Sequence, residues 1–389
     1  MYADALVSPW LSDLLRLAPG VDLFDAHTHV GRNDPDEFKC DAAQLLGGLD
    51  AAAGARAVVF PMHEPDGYPQ ANDMVIAEAE RSGGRLVPFC RLDPRAEPLR
   101  EAERALAAGA RGIKLHPRAE NFPLDTPELA EVFELAQERR LPVLVHAGRG
   151  IPSLGRHAVD ICARHPDVRL ILAHAGICDL AWIWRSVEEH PNLFFDSAWW
   201  SPSDLLALWA LVPPRNVIFA SDAPYGSPAL AALMNLRYAM QAGLGEEQLR
   251  LCFGEQVARL VEGEEPADAG PAPGPENTAA DPMLDRVHTF LVSAIGQGIT
   301  GNDPAEALSL AVLACEVGDD APQAETCATV LRLIELREAL IAEGEDEGRP
   351  SRFAPGLPMI VLAACISRTP RVPMPAVGPP ATGVGERSA

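Results

Sequence analysis

The sequence predicts an α/β chain: a closed (β/α)8 barrel with a C-terminal helical appendage. Three observations predict it. Eight short apolar runs recur through the first two thirds of the 389 residues. Their starts lie 24 to 35 residues apart, the length of one strand, one loop and one helix. The runs are continuously apolar rather than alternating, which marks strands buried on both faces and so a parallel sheet covered by helices.

The runs are VDLF (21–24), RAVVF (56–60), RLVPFC (85–90), RGIKLH (111–116), LPVLVH (141–146), VRLILAH (168–174), NLFFDS (192–197) and NVIFAS (216–221). Helical patterns separate them, at 41–54, 97–109, 126–140 and 201–212 among others. Asp125 or Thr126 caps the third of these with Pro127 in its first turn, and Gly54 and Gly109 close helices before the next strand. Eight units over about 245 residues match a closed barrel. The competing doubly wound open sheet often carries a Gly-rich phosphate loop, and neither GxGxxG nor GxxxxGK occurs.

The barrel is expected to span residues 1–263. A Pro/Ala-rich stretch at 264–282 reads as a flexible linker, 283–345 as about three helices without an inferred role, and 346–389 as a Pro-rich, largely irregular tail. Within that tail, LPMIVLAAC reads as a segment docked on something else.

Composition narrows the function. The net charge is −23, with 55 acids against 32 bases, so neither nucleic acid nor an anionic membrane is an expected partner. No apolar window reaches a membrane-spanning length, and the first twenty residues lack the pattern of a signal peptide. Eight scattered cysteines without a CxxC pair read as free thiols in a reducing cytoplasm. A small-molecule substrate is the expected partner; self-association into a homo-oligomer is left open.

In such a barrel the chemistry sits at the C-terminal ends of the strands. Asp25, His27 and His29 follow strand 1 and His63 follows strand 2. Arg91 and Asp93 follow strand 3, Lys114 and His116 strand 4, His146 strand 5 and His174 strand 6. Asp196 and Ser197 follow strand 7, and Asp222 follows strand 8. Six of the ten histidines fall at or just past strand ends; His157, His165, His190 and His288 read as surface or helix-end residues. Side chains two apart share a strand face, so His27 and His29 point the same way. Strand 8 neighbours strand 1 in a closed barrel and brings Asp222 close, and strand 5 supplies His146 from across the barrel. Imidazole and carboxylate suit a divalent ion, Zn²⁺ above all.

His174 is a second-metal ligand or an electrophile toward a substrate oxygen. Asp222 ligates through one oxygen and takes a proton from metal-bound water with the other. Lys114 reaches solvent, binds a substrate carboxylate, or carries CO₂ as a carbamate between two metals. His116 lines the pocket. Arg91, Arg118 and Arg149 are candidates to clamp a substrate carboxylate, and Trp199, Trp200 and Tyr225 are candidates to roof the pocket.

DAHTHVG, GIKLHP, LPVLVHAG, LILAHAG, LFFDSA and VIFASDAPYG, taken in order, resemble the amidohydrolase superfamily, specifically its amidohydrolase-2 group of TIM-barrel hydrolases and decarboxylases. CFGEQVARLV resembles the final barrel helix there, with Gln256 where an Asn often sits. The resemblance covers about residues 21–263. It implies one metal held by His27, His29, His146 and Asp222 with His174 catalytic, or two metals if Lys114 is carboxylated and His174 also ligates. The leading expectation is hydrolysis of an amide, lactone or ester-like bond through metal-activated water. The alternatives are decarboxylation of a small aromatic or unsaturated acid, and a metal-binding protein without catalysis.

Overall fold

The computed structural model describes residues 4–343 and 355–375. Residues 344–354 and 376–389, and with them much of the Pro-rich tail, lie outside the described residues. The eight apolar runs form β1 (Phe24–Val30), β2 (Arg56–Pro61), β3 (Leu86–Arg91), β4 (Gly112–Leu115), β5 (Pro142–Val145), β6 (Arg169–Leu172), β7 (Leu193–Asp196) and β8 (Val217–Ile218). Each pairs in parallel with the next, in the order β1 to β8. The ring is joined between its ends by Ala26 N–H to Phe219 O (2.9 Å), Asp222 N–H to His27 O (2.9 Å) and His29 N–H to Ala223 O (2.7 Å). The fold is the predicted (β/α)8 TIM barrel with a helical C-terminal region.

Two strands depart most from their sequence boundaries. β1 does not stop at Phe24 but runs on to Val30, because FDAHTHV keeps pairing with β2 from Arg56 to Pro61 across a register shift between Asp25 and Thr28. His27 and His29 therefore sit within the strand. β8 pairs regularly over only two residues, and the chain after it is held by the irregular bonds to β1 given above.

Inside the ring, Phe24, Val58, Leu144, Ile171, Phe194 and Ile218 pack with Val257, Leu260 and Val261 of the helix Gln256–Val261. That helix follows a π-helical turn, Leu251–Glu255, which presses on the start of β1. A methyl group on Gly254 would lie 1.9 Å from the Asp22 carbonyl oxygen. Backbone stands on both sides of that contact, so no side chain can swing away. Gly254→Ala is expected to destabilise the barrel by about 3 kcal/mol, read as a shifted urea midpoint.

Residues 264–279 run along the barrel. Gln256 exchanges two hydrogen bonds with the Ala267 backbone, Gln248 Nε2 donates to Ala269 O, and Asn277 Nδ2 donates to Ala242 O. The compact units divide at Ala279/Ala280. The second unit holds the helices Pro282–Ile299, Ala305–Ala314, Ala324–Glu343 and Leu357–Arg368. The last is the apolar LPMIVLAAC segment, and it is buried along most of its length. His288, read from sequence as surface or helix-end, is buried with its Nδ1 3.4 Å from Ser367 Oγ. Among the described residues, no helix is long and apolar enough to cross a membrane.

Candidate metal centre

Three donor atoms from β1 and the loop after β8 form a nearly equilateral triangle. His27 Nε2 lies 3.2 Å from His29 Nε2, and each lies 3.1 Å from Asp222 Oδ1. Ligands about 2.0–2.1 Å from a tetrahedral ion stand about 3.3 Å apart, so the triangle has the size of one tetrahedral face. A wider set, His27, His174 and Asp222, brings one donor atom from each within 4.8 Å of the others. The two sets share His27 and Asp222. The first has the spacing of bound ligands, and the second marks where another donor stands.

The tautomers fit the same use. His27 Nδ1 lies 2.7 Å from Asp196 Oδ2, with both side chains buried. A carboxylate there keeps the proton on Nδ1 and leaves Nε2 a bare lone pair, the arrangement found behind metal-ligating histidines. His174 Nδ1 lies 2.7 Å from the Ala198 carbonyl, so its Nε2 is likewise bare when the ring is neutral. Burial holds His27, His29, His116 and His146 well below the usual imidazole range, and neutral imidazole is the form that ligates. Burial also pushes the Asp222 carboxyl well up, against the pull of Lys114; Asp196, Asp25 and Asp34 add to the rise. A divalent cation would relieve that crowding. The donor set fits such an ion.

Lys114 is fully buried, with Nζ 3.2 Å from His27 Nε2 and 4.6 Å from the centre of the Phe60 ring. Burial lowers its amine to about 7. His146 stands apart from the triangle: its Nδ1 is 3.0 Å from His174 Nε2, and its ring stacks on His116 at 3.9 Å. His146 Nε2 is buried with no hydrogen-bond partner. Gly148 makes room for this ring, because a methyl there would come within 2.6 Å of Nε2. His116 Nδ1 accepts from Ala119 N–H (3.1 Å), which leaves the proton on Nε2.

The residue that ties these parts together is Asp196. Besides His27, it accepts from the backbone N–H groups of His174 (2.8 Å) and Ala198 (3.0 Å). Asp25 does similar work between β1 and the β8 loop, accepting from the N–H groups of His27 and Ser221, both at 3.0 Å. Burial raises its carboxyl to about 7. Both aspartates close apolar runs in the sequence, where nothing local marks either for a role. Strain was invisible from sequence: His174 and Asp222 adopt left-handed φ of 57° and 60°, a conformation non-glycine residues hold only where the surroundings impose it.

The remaining candidates spread around the mouth. The Arg91 guanidinium is buried and committed, with Nη2 2.7 Å from Glu120 Oε1 and Nη1 3.3 Å from the Pro61 carbonyl. Arg118 and Arg149 are exposed. Trp199 lies edge-on to His174 at 6.1 Å, donates to Asp204 Oδ2 (2.8 Å), and has Trp200 beside it. Tyr225 packs edge-on against His29 at 5.3 Å and against Phe38, and its hydroxyl bonds Asp34.

Comparison with known proteins agrees with this picture. The Amidohydrolase family model of the amidohydrolase-2 group matches residues 24–256, well over half of the chain. No curated protein matches the sequence. Similar solved structures include an uncharacterised TIM-barrel protein from Bordetella bronchiseptica, with 13% identity, 62% of this chain and 99% of that one covered, and a TM-score of 0.51. A 5-carboxyvanillate decarboxylase from Sphingomonas paucimobilis has 15% identity, the same 62% and 99% coverage, and a TM-score of 0.49. A 4-oxalomesaconate hydratase from Rhodopseudomonas palustris has 17% identity, 62% and 95% coverage, and a TM-score of 0.48. At 13% identity the likeness to the Bordetella protein is one of fold. The family match over the barrel and the donor set inside it lead to one conclusion: this chain belongs to the amidohydrolase-2 family of metal-dependent hydrolases and decarboxylases.

Proposed function

We propose that the protein hydrolyses an amide, lactone or ester-like bond of a small organic substrate. One observation carries the reading. Asp222 stands between two histidines on one oxygen, 3.1 Å from each, and faces His174 with the other at 4.0 Å. It is 21% exposed, so a substrate's water can reach it.

His27, His29 and Asp222 would hold the ion, with His146, His174 and Lys114 as the further donors available to it. A divalent cation bound there supplies Lewis acidity for a carbonyl oxygen and makes water more acidic. Asp222 accepts the proton of the attacking water on the oxygen turned toward His174. His174, once protonated on Nε2, donates to the oxygen on which charge develops. Burial holds the His174 ring below the usual imidazole range, and Asp196 and the Ala198 carbonyl offset part of that cost when the ring is cationic. Trp199 and the His116–His146 stack offer flat surfaces to an unsaturated substrate.

Decarboxylation is the second reading. It is favoured by Arg118 and Arg149, exposed after β4 and β5, where they can receive a carboxylate. A panel of lactones, aryl esters, N-acyl amides and aromatic carboxylic acids separates the two. Turnover of the first three, abolished by a chelator and restored by Zn²⁺ or Mn²⁺, is the expected result. Release of CO₂ without any hydrolysis would replace hydrolysis by the second reading.

A further inference from the structure

Next to the metal-ligand cluster lies a second buried polar group that the scheme above does not use. Glu120, in the turn after β4, is 2% exposed at its side chain. Its Oε1 accepts from Arg91 Nη2 at 2.7 Å and from the Tyr68 hydroxyl. Arg91 is fixed in turn by the Pro61 carbonyl and by the face of the Tyr68 ring, 5.0 Å away. It is also the register partner of Lys114 across β3 and β4, so the group abuts the centre. Three buried atoms in it have no hydrogen-bond partner: Glu120 Oε2, Arg91 Nε and His63 Nδ1.

His63 follows β2 at the same end of the barrel. Its Nδ1 lies 3.7 Å from Glu120 Oε1, an ion-pair contact longer than a hydrogen bond. The ring as a whole is 29% exposed, so its exposed part lies away from the buried Nδ1. A histidine whose buried Nδ1 faces an anchored carboxylate while the rest of its ring is partly exposed has the arrangement of an oriented acid–base group. Such contacts are often long in ligand-free enzymes and shorten when substrate binds. A buried Arg–Glu pair is also weak evidence for stability alone, since apolar side chains of similar volume often serve as well.

We infer that His63, oriented by Glu120, is the acid that protonates the leaving group. The inference rests on the hydrolytic reading. As the scissile C–N or C–O bond breaks, its electron pair leaves with the nitrogen or oxygen. His63 Nε2–H gives that atom its proton, while the Glu120 carboxylate, shared with Arg91, faces Nδ1. The neutral ring regains a proton from solvent on its exposed side. β2 and β6 are opposite in an eight-stranded ring, so the donor stands across the mouth from His174, and Asp222 is left to serve the water. Glu120, Arg91 and Tyr68 are positioning residues.

The test is a series of esters whose leaving groups span a wide range of acidity, assayed with the metal-loaded wild type, H63Q and E120Q. H63Q should cost about 100-fold with alkoxide leaving groups and almost nothing with nitrophenolates. E120Q should show the same pattern more weakly, and neither should change metal content. A uniform loss in H63Q across the series, or no loss, overturns the inference. Independently of turnover, ¹⁵N spectra of the wild type should find the neutral His63 ring protonated on Nδ1; an Nε2-protonated ring overturns it too. A wild type that hydrolyses nothing ends the hydrolytic reading itself. Hydrolysis with H63Q equal to the wild type ends only this inference.

Discussion

Asp222→Asn is expected to lower kcat/KM by at least about 10³-fold and to leave the barrel folded. The exchange is nearly isosteric, so packing is kept. What goes is the one carboxylate placed both to bind an ion with His27 and His29 and to face His174. The amide cannot take a proton from water. The same exchange removes a charge that burial disfavours above all; Lys114 favours that charge, and Asp196, Asp25 and Asp34 disfavour it further. Without metal, the variant is therefore expected to melt no lower than the wild type. Rate and stability should part company: activity falls, while circular dichroism and the melting temperature do not. Metal analysis belongs beside both measurements. A variant that keeps metal but not turnover assigns Asp222 a proton; one that loses both assigns it the ion first. Turnover within tenfold of the wild type would remove Asp222 from the chemistry.

Much of this was legible in the sequence because periodicity and strand-end position are local properties. Eight continuous apolar runs were enough for the barrel, and the polar residues closing them led to His27, His29 and Asp222. What failed to show were properties of contact. The two histidines looked as if they followed strand 1, since DAHTHV carries no apolar run, yet backbone pairing with β2 carries the strand through them. Arg91 looked free because nothing in RLVPFCR reveals that Glu120, 29 residues on, would meet it. Asp196 was one more acid in LFFDS. Its importance lies in three bonds, one to β1, one to the turn after β6 and one to its own loop at Ala198, and such convergence exists only once the ring has closed. His288 looked solvated because its burial comes from the helix Leu357–Arg368, some 80 positions away.

Those three bonds make Asp196→Asn the second large effect. Asp196 Oδ1 accepts from two backbone N–H groups, and Oδ2 faces the proton on His27 Nδ1. An asparagine can keep its oxygen toward the two N–H groups, and its NH₂ then meets the His27 N–H. Flipping the amide is worse, because its NH₂ would then face two donors. The first orientation wins, and His27 escapes the clash by moving its proton to Nε2. That is the atom at the corner of the donor triangle, and a protonated nitrogen does not ligate. The expected loss in metal affinity is about 100-fold, at the upper end for an exchange behind a metal-binding histidine. The fold should lose only about 1–3 kcal/mol, the range for a disturbed buried hydrogen bond. Competition against a chelator of known affinity measures the first, and urea unfolding of the metal-free protein the second. Asp196→Ala removes the clash along with the bonds. It should bind metal more tightly than the asparagine variant while being the less stable of the two. If asparagine and alanine weaken binding alike, Asp196 holds His27 in place without setting which nitrogen carries the proton. If neither weakens it by more than threefold, His27 is not a ligand.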